Sequence, residues 1–207
     1  MKRTRENTRA RMIAAAASVF ANKGVAGATI DDLTTAAEFT RGAFYSNFSS
    51  KEEAFAATFE DFTARLVDKI TTDAQKLLRQ DPPEQAVSSI LESIRPMGRL
   101  WVLLDAEAVR QSLHNEQIRG VYLRSRQQVA DVIVAELANR TEAASGQPKA
   151  SAVDARRLAT FCVGAYSEAI IAEHLQGVDS TQRLVGTIVS LLEAVRQPKG
   201  SGATEDE

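Results

Sequence analysis

The sequence predicts an all-α protein of nine helices, with an N-terminal three-helix head containing a helix-turn-helix and a C-terminal helical domain. Gly and Pro are sparse among the 207 residues, and residues that favour helix, such as Ala, Leu, Glu, Arg and Gln, are abundant. Apolar residues recur at intervals of three and four, and no segment alternates as a strand would. These observations favour an all-helical fold over one that contains a sheet.

The ends of the first three helices are marked by residues that commonly begin or stop a helix. The first helix is expected to stop at Gly24. Thr29 and Asp32 form an acidic variant of the capping box for the second helix, and Thr40 is a suitable N-cap for the third. The tight turn between the second and third helices predicts a helix-turn-helix.

The later helices are longer. Ser50 and Glu53 form a capping box for a fourth helix, which is expected to run to about residue 79. The five helices expected after it cover 86–96, 99 to about 113, 115 to about 144, 151–177 and 180 to about 195. We therefore expect a head over 1–51, a second helical domain over 52–197, and a disordered tail over 198–207.

Charge is distributed unevenly between the head and the rest of the chain. Residues 1–51 carry eight Lys and Arg against four acidic residues, a net charge of +4, and the remaining residues carry 17 basic and 23 acidic groups, a net charge of −6. A basic head on an acidic body is what a protein needs if only its head meets a polyanion, although a chance distribution of surface charge fits the same count.

Cysteine content and hydropathy indicate the compartment. Cys162 is the single cysteine, so an intramolecular disulfide is impossible and a reducing cytoplasm is expected. The chain has no apolar run of 18 residues and begins without the apolar segment of a signal peptide. We expect a cytoplasmic protein with no membrane partner.

The segment "TRGAFYSNF" has the composition of a DNA-recognition helix. Helical spacing turns Phe44 and Phe48 inward. The opposite face carries residue types suited to DNA, namely Thr40, Arg41, Gly42, Tyr45 and Ser46. Arg41 can bind guanine O6 and N7, and Gly42 costs about 1 kcal/mol within a helix but allows another backbone to approach closely. Lys51 begins the next helix, where a cation and free N–H groups suit a phosphate.

The run "GVAGATIDDLTTAAEFTRGAFYSNFSSKEEAF" resembles the DNA-binding head of TetR/AcrR-type transcriptional regulators, over roughly residues 7–55. The residues that the resemblance assigns to DNA are Thr29, Thr40, Arg41, Gly42, Ala43, Tyr45, Ser46, Asn47 and Lys51. Among these, Arg41, Gly42 and Ala43 are expected to face bases, and the others the phosphate backbone.

The resemblance carries one departure and one open question. Glu38 occupies a turn position where the family usually has glycine, and a positive φ there costs a non-Gly residue on the order of 1 kcal/mol. A basic arm precedes the head and consists of Lys2, Arg3, Arg5 and Arg9. These residues either contact phosphates and the minor groove or belong to a solvated tail.

The resemblance also implies that the second domain is a receptor for a small molecule. Large side chains expected near the centre of that domain are Met97, Trp101, Leu104, Tyr122, Phe161 and Tyr166. Such residues commonly line apolar pockets, and they equally commonly fill ordinary cores. The last helix carries an apolar stripe of Leu184, Ile188, Leu191 and Val195, which predicts a homodimer interface; a wide contact within the chain is the alternative.

No residue pattern predicts catalysis, a cofactor or a metal site. His114 and His174 have no partner at metal-ligand spacing, and Cys162 lies among apolar residues, which favours an inert thiol. The sequence therefore predicts a homodimeric, ligand-responsive transcriptional regulator, in the first place a repressor, that binds a palindromic double-stranded DNA operator and is released by a small, largely apolar molecule. The alternatives are an all-helical enzyme or small-molecule-binding protein with an incidental basic head, and a constitutive DNA-binding protein without an inducer.

Overall fold

The computed structural model describes residues 5–77, 81–145 and 152–196, and within these ranges the chain forms eight helices and no strand. The helices are α1 (Arg5–Gly27), α2 (Ile30–Ala37), α3 (Arg41–Tyr45), α4 (Lys51–Leu77), α5 (Pro83–Ser112), α6 (Glu116–Ser145), α7 (Ala152–Gln176) and α8 (Thr181–Arg196). The predicted all-α class is confirmed. The tail expected over 198–207 lies outside the described residues.

The predicted number of nine helices is wrong, because the two helices expected over 86–96 and 99 to about 113 form the single helix α5. The sequence placed a break between residues 96 and 99, whereas α5 runs without interruption through Pro96. A proline inside a helix removes one backbone hydrogen bond and costs about 3 kcal/mol. The helix nevertheless continues because residues on both sides of Pro96 are buried, Ile94 at 5 % exposure and Trp101 at 1 %. Tertiary packing outweighs the local preference.

The expected stop at Gly24 appears as a kink. Gly24 has φ 65° and ψ 174°, outside helical geometry, and α1 resumes for a few residues to end at Gly27. A Cβ at Gly24 would lie 3.3 Å from Oε2 of Glu107, on α5. The positive φ favours glycine here, and a Cβ would also require the Glu107 carboxylate to shift by a few tenths of an ångström.

The described residues fall into two compact units. Residues 5–70 and 94–129 form the first, and residues 71–93 and 130–196 form the second. The first unit contains the helix-turn-helix, packed on an aromatic core in which Phe20 meets Phe55 edge to face at 5.3 Å between ring centroids. In the second unit α7 packs on α8. The domain boundary predicted between residues 51 and 52 separates two proposed functions, and it stays a prediction.

Candidate nucleic-acid interface

Both helices of the helix-turn-helix begin at the predicted caps. The Oγ1 of Thr29 accepts a hydrogen bond from the N–H of Asp32 at 3.1 Å, and a carboxylate oxygen of Asp32 accepts from the N–H of Thr29 at 2.9 Å. Lys23 donates to the same carboxylate at 2.7 Å. The hydrogen bond from Lys23, with those from Thr29, lowers the pKa of Asp32 to about 2. At α3, the Oγ1 of Thr40 accepts from the N–H of Ala43 at 3.2 Å.

The turn between α2 and α3 is formed by Glu38 in the left-handed conformation. Its φ is 58° and its ψ 44°, and its N–H donates to the carbonyl of Thr35 at 3.2 Å. The Glu38 carboxylate lies 3.7 Å from a guanidinium nitrogen of Arg11. Glu38 therefore has the positive φ whose cost was considered for this turn position.

The two faces of α3 differ as predicted. Phe44 and Phe48 are buried, at 2 % and 3 % exposure. The residues of the opposite face are all exposed, namely Thr40, Arg41, Gly42, Tyr45 and Ser46. A Cβ at Gly42 would meet only the Thr40 hydroxyl, at 3.8 Å, so nothing in the chain itself requires glycine at this position. The bare backbone is available to an external partner.

The end of α3 is held by arginines of α1. Arg5 donates from Nη2 to the carbonyl of Ser46 at 2.7 Å, and the Arg9 guanidinium lies 5.0 Å from the centre of the Phe48 ring. The sequence predicted both arginines only as part of a basic arm. Arg5 is 41 residues from Ser46 and Arg9 is 39 residues from Phe48, so no local pattern indicates these contacts. Lys2 and Arg3 lie outside the described residues.

Two candidate phosphate-binding residues turn their side chains back along the helix. The hydroxyl of Ser46 donates to the carbonyl of Gly42 at 2.8 Å, and the amide of Asn47 donates to the carbonyl of Ala43 at 2.8 Å. Ser46 is exposed, and its oxygen can still accept a hydrogen bond. The Oδ1 of Asn47 is buried without a hydrogen-bond partner. Their contacts with DNA stay predictions.

Lys51 has a role inside the head that the sequence did not reveal. Its ammonium donates to the carbonyl of Val25 at 2.9 Å and to that of Ala28 at 2.6 Å, and the carbonyl of Ala26 lies at 3.5 Å. The ammonium thus satisfies carbonyls where α1 passes into α2. Its expected contact with phosphate stays a prediction.

The same junction is held from α5 by Glu107. One carboxylate oxygen accepts from the N–H of Val25 at 2.8 Å, and the carboxylate also accepts from Arg110 at 2.6 Å and 2.8 Å and from Gln111 at 2.9 Å. Burial raises the pKa of Glu107, but these hydrogen bonds outweigh it and hold the pKa below its usual range.

Arg41 is held by a carboxylate of the preceding helix. Its Nε donates to one oxygen of Asp31 at 2.6 Å, and its Nη2 donates to the other at 3.0 Å. These hydrogen bonds with Asp31 raise the pKa of Arg41 further. From the sequence, Arg41 is expected to contact a base, and no pattern predicts a role for Asp31, because the two residues are ten positions apart on different helices.

Comparison with known proteins relates the head to a described family. Residues 12–58 match the family model described as bacterial regulatory proteins, tetR family. This part of the chain is similar to the DNA-binding head of that family. Within it, α2 and α3 are the paired helices of the helix-turn-helix.

Solved structures share the fold over most of the chain. NemR of E. coli in its reduced form has a TM-score of 0.72 at 18 % identity, covering 89 % of this chain and 96 % of that chain. A TetR-family transcriptional regulator from Cytophaga hutchinsonii has a TM-score of 0.72 at 19 % identity, covering 94 % and 98 %. FadR from Bacillus subtilis, in complex with stearoyl-CoA, has a TM-score of 0.65 at 18 % identity, covering 91 % and 97 %.

Four of the predicted effector-binding residues lie in the first compact unit, namely Met97, Trp101, Leu104 and Tyr122. Phe59 stacks on both Trp101 and Tyr122, with ring centroids 6.2 Å and 6.1 Å apart. Trp101 and Leu104 are fully buried, whereas Met97 and Tyr122 are half-buried. The structure therefore brings Trp101 and Tyr122 together against Phe59.

A charged pair borders this stack. Asp105 lies 3.5 Å from Nη1 of Arg126, whose guanidinium carbon is 6.0 Å from the centre of the Trp101 ring. Burial raises the pKa of Asp105, and the positive charge of Arg126 lowers it only in part. Asp105 of α5 is thus paired with a residue of α6.

The other two predicted effector-binding residues lie in the second unit. Phe161 is 47 % exposed on α7, so it is not enclosed within the chain, and Tyr166 is half-buried. Cys162, between them in sequence, is buried, and burial raises its pKa to about 11. The thiol is therefore protonated at neutral pH, which agrees with the expected inert cysteine.

The predicted dimer stripe of α8 is buried within the chain where the structure describes it. Leu184 and Ile188 are each 7 % exposed. The side chains of Leu191 and Val195 lie outside the described residues. The alternative weighed from the sequence, an intramolecular contact, therefore accounts for Leu184 and Ile188.

Within the described residues, no helix is long and apolar enough to cross a membrane. The same residues contain no group of three or more His, Cys, Asp or Glu side chains placed to hold a metal ion.

Proposed function

We propose that this chain is a homodimeric, ligand-responsive transcriptional regulator that reads a palindromic operator with α3 and acts as a repressor. The observation that carries the proposal is the exposed face of α3, which presents Arg41, Gly42 and Tyr45. The opposite face is buried through Phe44 and Phe48, in a head that matches the tetR-family model. No acidic residue occurs between residues 40 and 50, so this segment has no like charge to oppose phosphates.

The effector proposed is a small, largely apolar molecule bound near the stack of Phe59, Trp101 and Tyr122. Large aromatic faces with a few polar groups at their edge are typical of small-molecule sites. The Asp105–Arg126 pair supplies polar groups of both signs at this edge. Binding of the effector and binding of DNA weaken each other by the same factor if each favours a different arrangement of the heads.

The dimer interface is proposed on the exposed faces of α7 and α8. Besides charged residues such as Arg157 and Arg183, these faces carry one large aromatic ring and several small residues, namely Thr160, Phe161, Gly164, Gly186 and Thr187. A Cβ at Gly164 or Gly186 would meet nothing within 4 Å, so the chain's own packing does not use the space beside them. Small residues let the helices of a second copy approach closely, and an exposed aromatic ring then becomes a buried anchor.

The experiment that tests DNA recognition is selection of genomic fragments by the purified protein at about 0.15 M salt, a concentration at which non-specific binding is weak. We expect a palindromic motif to be enriched. Arg41→Ala is expected to reduce operator affinity roughly 10- to 100-fold and to relax the preference at one base pair of each half-site, because the bidentate contact to that base is lost.

The control variant is Arg65→Ala, which removes an arginine of similar exposure, paired with Asp61 on α4 at 2.9 Å. It should leave the motif unchanged. An equal loss of affinity for operator and random duplex in Arg41→Ala would contradict a base contact. Failure of the folded protein to enrich any sequence would contradict operator recognition itself.

A second candidate function is constitutive regulation without an inducer, and one observation favours it. Trp101 and Leu104 are 1 % and 0 % exposed, as expected in a filled core. Release of the selected operator fragment by a library of apolar small molecules distinguishes the candidates, since a constitutive regulator is released by none.

A further inference from the structure

The most specific contact on the exposed face of the helix-turn-helix joins its two helices. Asp31, in the first turn of α2, receives two parallel hydrogen bonds from Arg41, in the first turn of α3, with lengths of 2.6 Å and 3.0 Å. Such a two-point contact fixes both the position and the plane of the guanidinium. Arg41 is thus oriented before any partner arrives.

The geometry leaves the other edge of the guanidinium free to bind. An arginine has five N–H donors, one on Nε and two on each Nη nitrogen. Asp31 takes the Nε–H and one Nη2–H. Two N–H groups on Nη1 and one on Nη2 remain, and the Nη1–Nη2 edge presents two parallel donors. Two parallel donors are what a contact with guanine O6 and N7 requires.

A contribution to fold stability is a poor explanation for this pair. Both side chains are 65 % exposed, and ion pairs between exposed groups contribute little to stability because water and salt screen them. The carboxylate also opposes phosphate, so a head selected only for affinity gains nothing from an acid beside its base-reading arginine. Orientation of Arg41 accounts for both observations.

We propose that Asp31 is a specificity-determining positioning residue: it holds the Nε edge of Arg41 so that the Nη1–Nη2 edge reads a guanine, and it prevents Arg41 from binding phosphate instead. The proposal rests on the proposed function, since it assigns a role to Asp31 only in a head that binds an operator. Asp31 does not itself contact the base. Its effect passes through Arg41.

The test compares Asp31→Asn with the wild-type protein in selection from random-sequence DNA, followed by titration of the selected operator and of a random duplex at several salt concentrations. We expect Asp31→Asn to reduce the preference for guanine at the Arg41 position roughly tenfold. Affinity for random duplex should rise, and the salt dependence should steepen by about one phosphate contact, because Arg41 is released to bind the backbone.

Two further variants separate orientation from charge and from folding. Asp61→Asn makes the same change in net charge at the Arg65 pair of α4 and should leave the guanine preference unchanged. Lysine has a single ammonium group, so it cannot bind Asp31 through one edge and guanine through another as the guanidinium of Arg41 can. In an Arg41→Lys background, Asp31→Asn should therefore cause no further loss of guanine preference, a result that a purely structural role for Asp31 would not produce. Thermal unfolding confirms that each variant is folded.

The outcomes separate the two levels of inference. A wild-type protein that is folded and enriches no motif overturns both the proposed function and the role of Asp31. A wild-type motif that is unchanged in Asp31→Asn overturns the role of Asp31 alone. Equal losses of affinity for operator and random duplex in Asp31→Asn also overturn it, because they indicate damage to the head without a change in base reading.

Discussion

At the scale of single residues, Glu38 adopts a strained backbone conformation that lowers the stability of the head. Its left-handed conformation closes the turn between α2 and α3, and within the part of the chain that the structure describes it is the one non-glycine residue with positive φ. A side chain there costs about 1–2 kcal/mol. The Arg11 guanidinium lies 3.7 Å from the Glu38 carboxylate, whose side chain is 84 % exposed, so the contact is too weak to offset that cost.

Replacing Glu38 by glycine should stabilise the head. We expect Glu38→Gly to raise the free energy of unfolding by roughly 0.5–1 kcal/mol, because relief of the strain exceeds the roughly 0.5–1 kcal/mol that glycine's freedom in the unfolded chain takes back. Urea denaturation measures the change. The matched control, Glu38→Gln, keeps the strain and removes the charge, so it should leave stability unchanged while binding random duplex more tightly. Equal stabilisation by both variants would assign the effect to charge.

At the scale of elements, the junction between α1 and α2 is satisfied by two helices that lie far from it in sequence. Lys51 of α4 donates to the carbonyls of Val25 and Ala28, and Glu107 of α5 accepts the N–H of Val25. Val25 and Ala28 are each 1 % exposed, so water cannot replace these partners. The position of α2, and with it that of α3, therefore depends on residues outside the helix-turn-helix.

Lys51→Ala should destabilise the protein whether or not Lys51 touches DNA. We expect the free energy of unfolding to fall by about 2–3 kcal/mol, because buried carbonyls lose a charged donor. Lys76→Ala is the matched control, since it removes the same charge from an exposed site on the same helix and should change stability little. Unfolding in urea compares the two variants.

DNA binding by these lysine variants then tests the expected phosphate contact. At a temperature where both are folded, a lower affinity for random duplex in Lys51→Ala than in Lys76→Ala would support that contact. Equal affinities would leave Lys51 a purely structural residue. Unchanged stability in Lys51→Ala would contradict the role assigned to its ammonium.

At the scale of the whole molecule, the proposed dimer depends on the exposed side of α7 and α8. Leu184 and Ile188 are already used inside the chain, so Phe161 becomes the residue expected to anchor the interface. The ring is 47 % exposed, and Gly164, three residues further along α7, leaves room for a partner's helix. The proposed recognition of a palindrome depends on this proposed contact, because a helix-turn-helix dimer reads one half-site with each copy.

Phe161→Lys should weaken the dimer by at least roughly tenfold, as expected when a charge replaces an aromatic anchor of an interface. Sedimentation equilibrium measures the dissociation constant, and affinity for the full palindrome should fall while affinity for a half-site duplex is kept. Leu123→Lys, which replaces a leucine 60 % exposed on α6, is the control and should have no effect. A wild-type protein that is monomeric at micromolar concentration would contradict the interface, as would a dimer unaffected by Phe161→Lys.

The sequence by itself determined the features that depend on near neighbours in the chain. Helix caps at Thr29 and Thr40, the inward Phe44 and Phe48 and the exposed face of α3 all follow from spacings of three or four residues, and the structure agrees with each. The helix break predicted near Pro96 is wrong, because packing overrides the local effect of the proline.

Only the tertiary structure decided which distant groups satisfy one another. Arg41 is held by Asp31 ten residues away, Lys51 by carbonyls 23 to 26 residues away, and the N–H of Val25 by Glu107 at a separation of 82 residues. Helical periodicity assigns a residue to a face but does not say which helix that face will meet. The same limit left the stripe of Leu184 and Ile188 ambiguous, because an apolar face is buried equally well by its own chain and by a second copy.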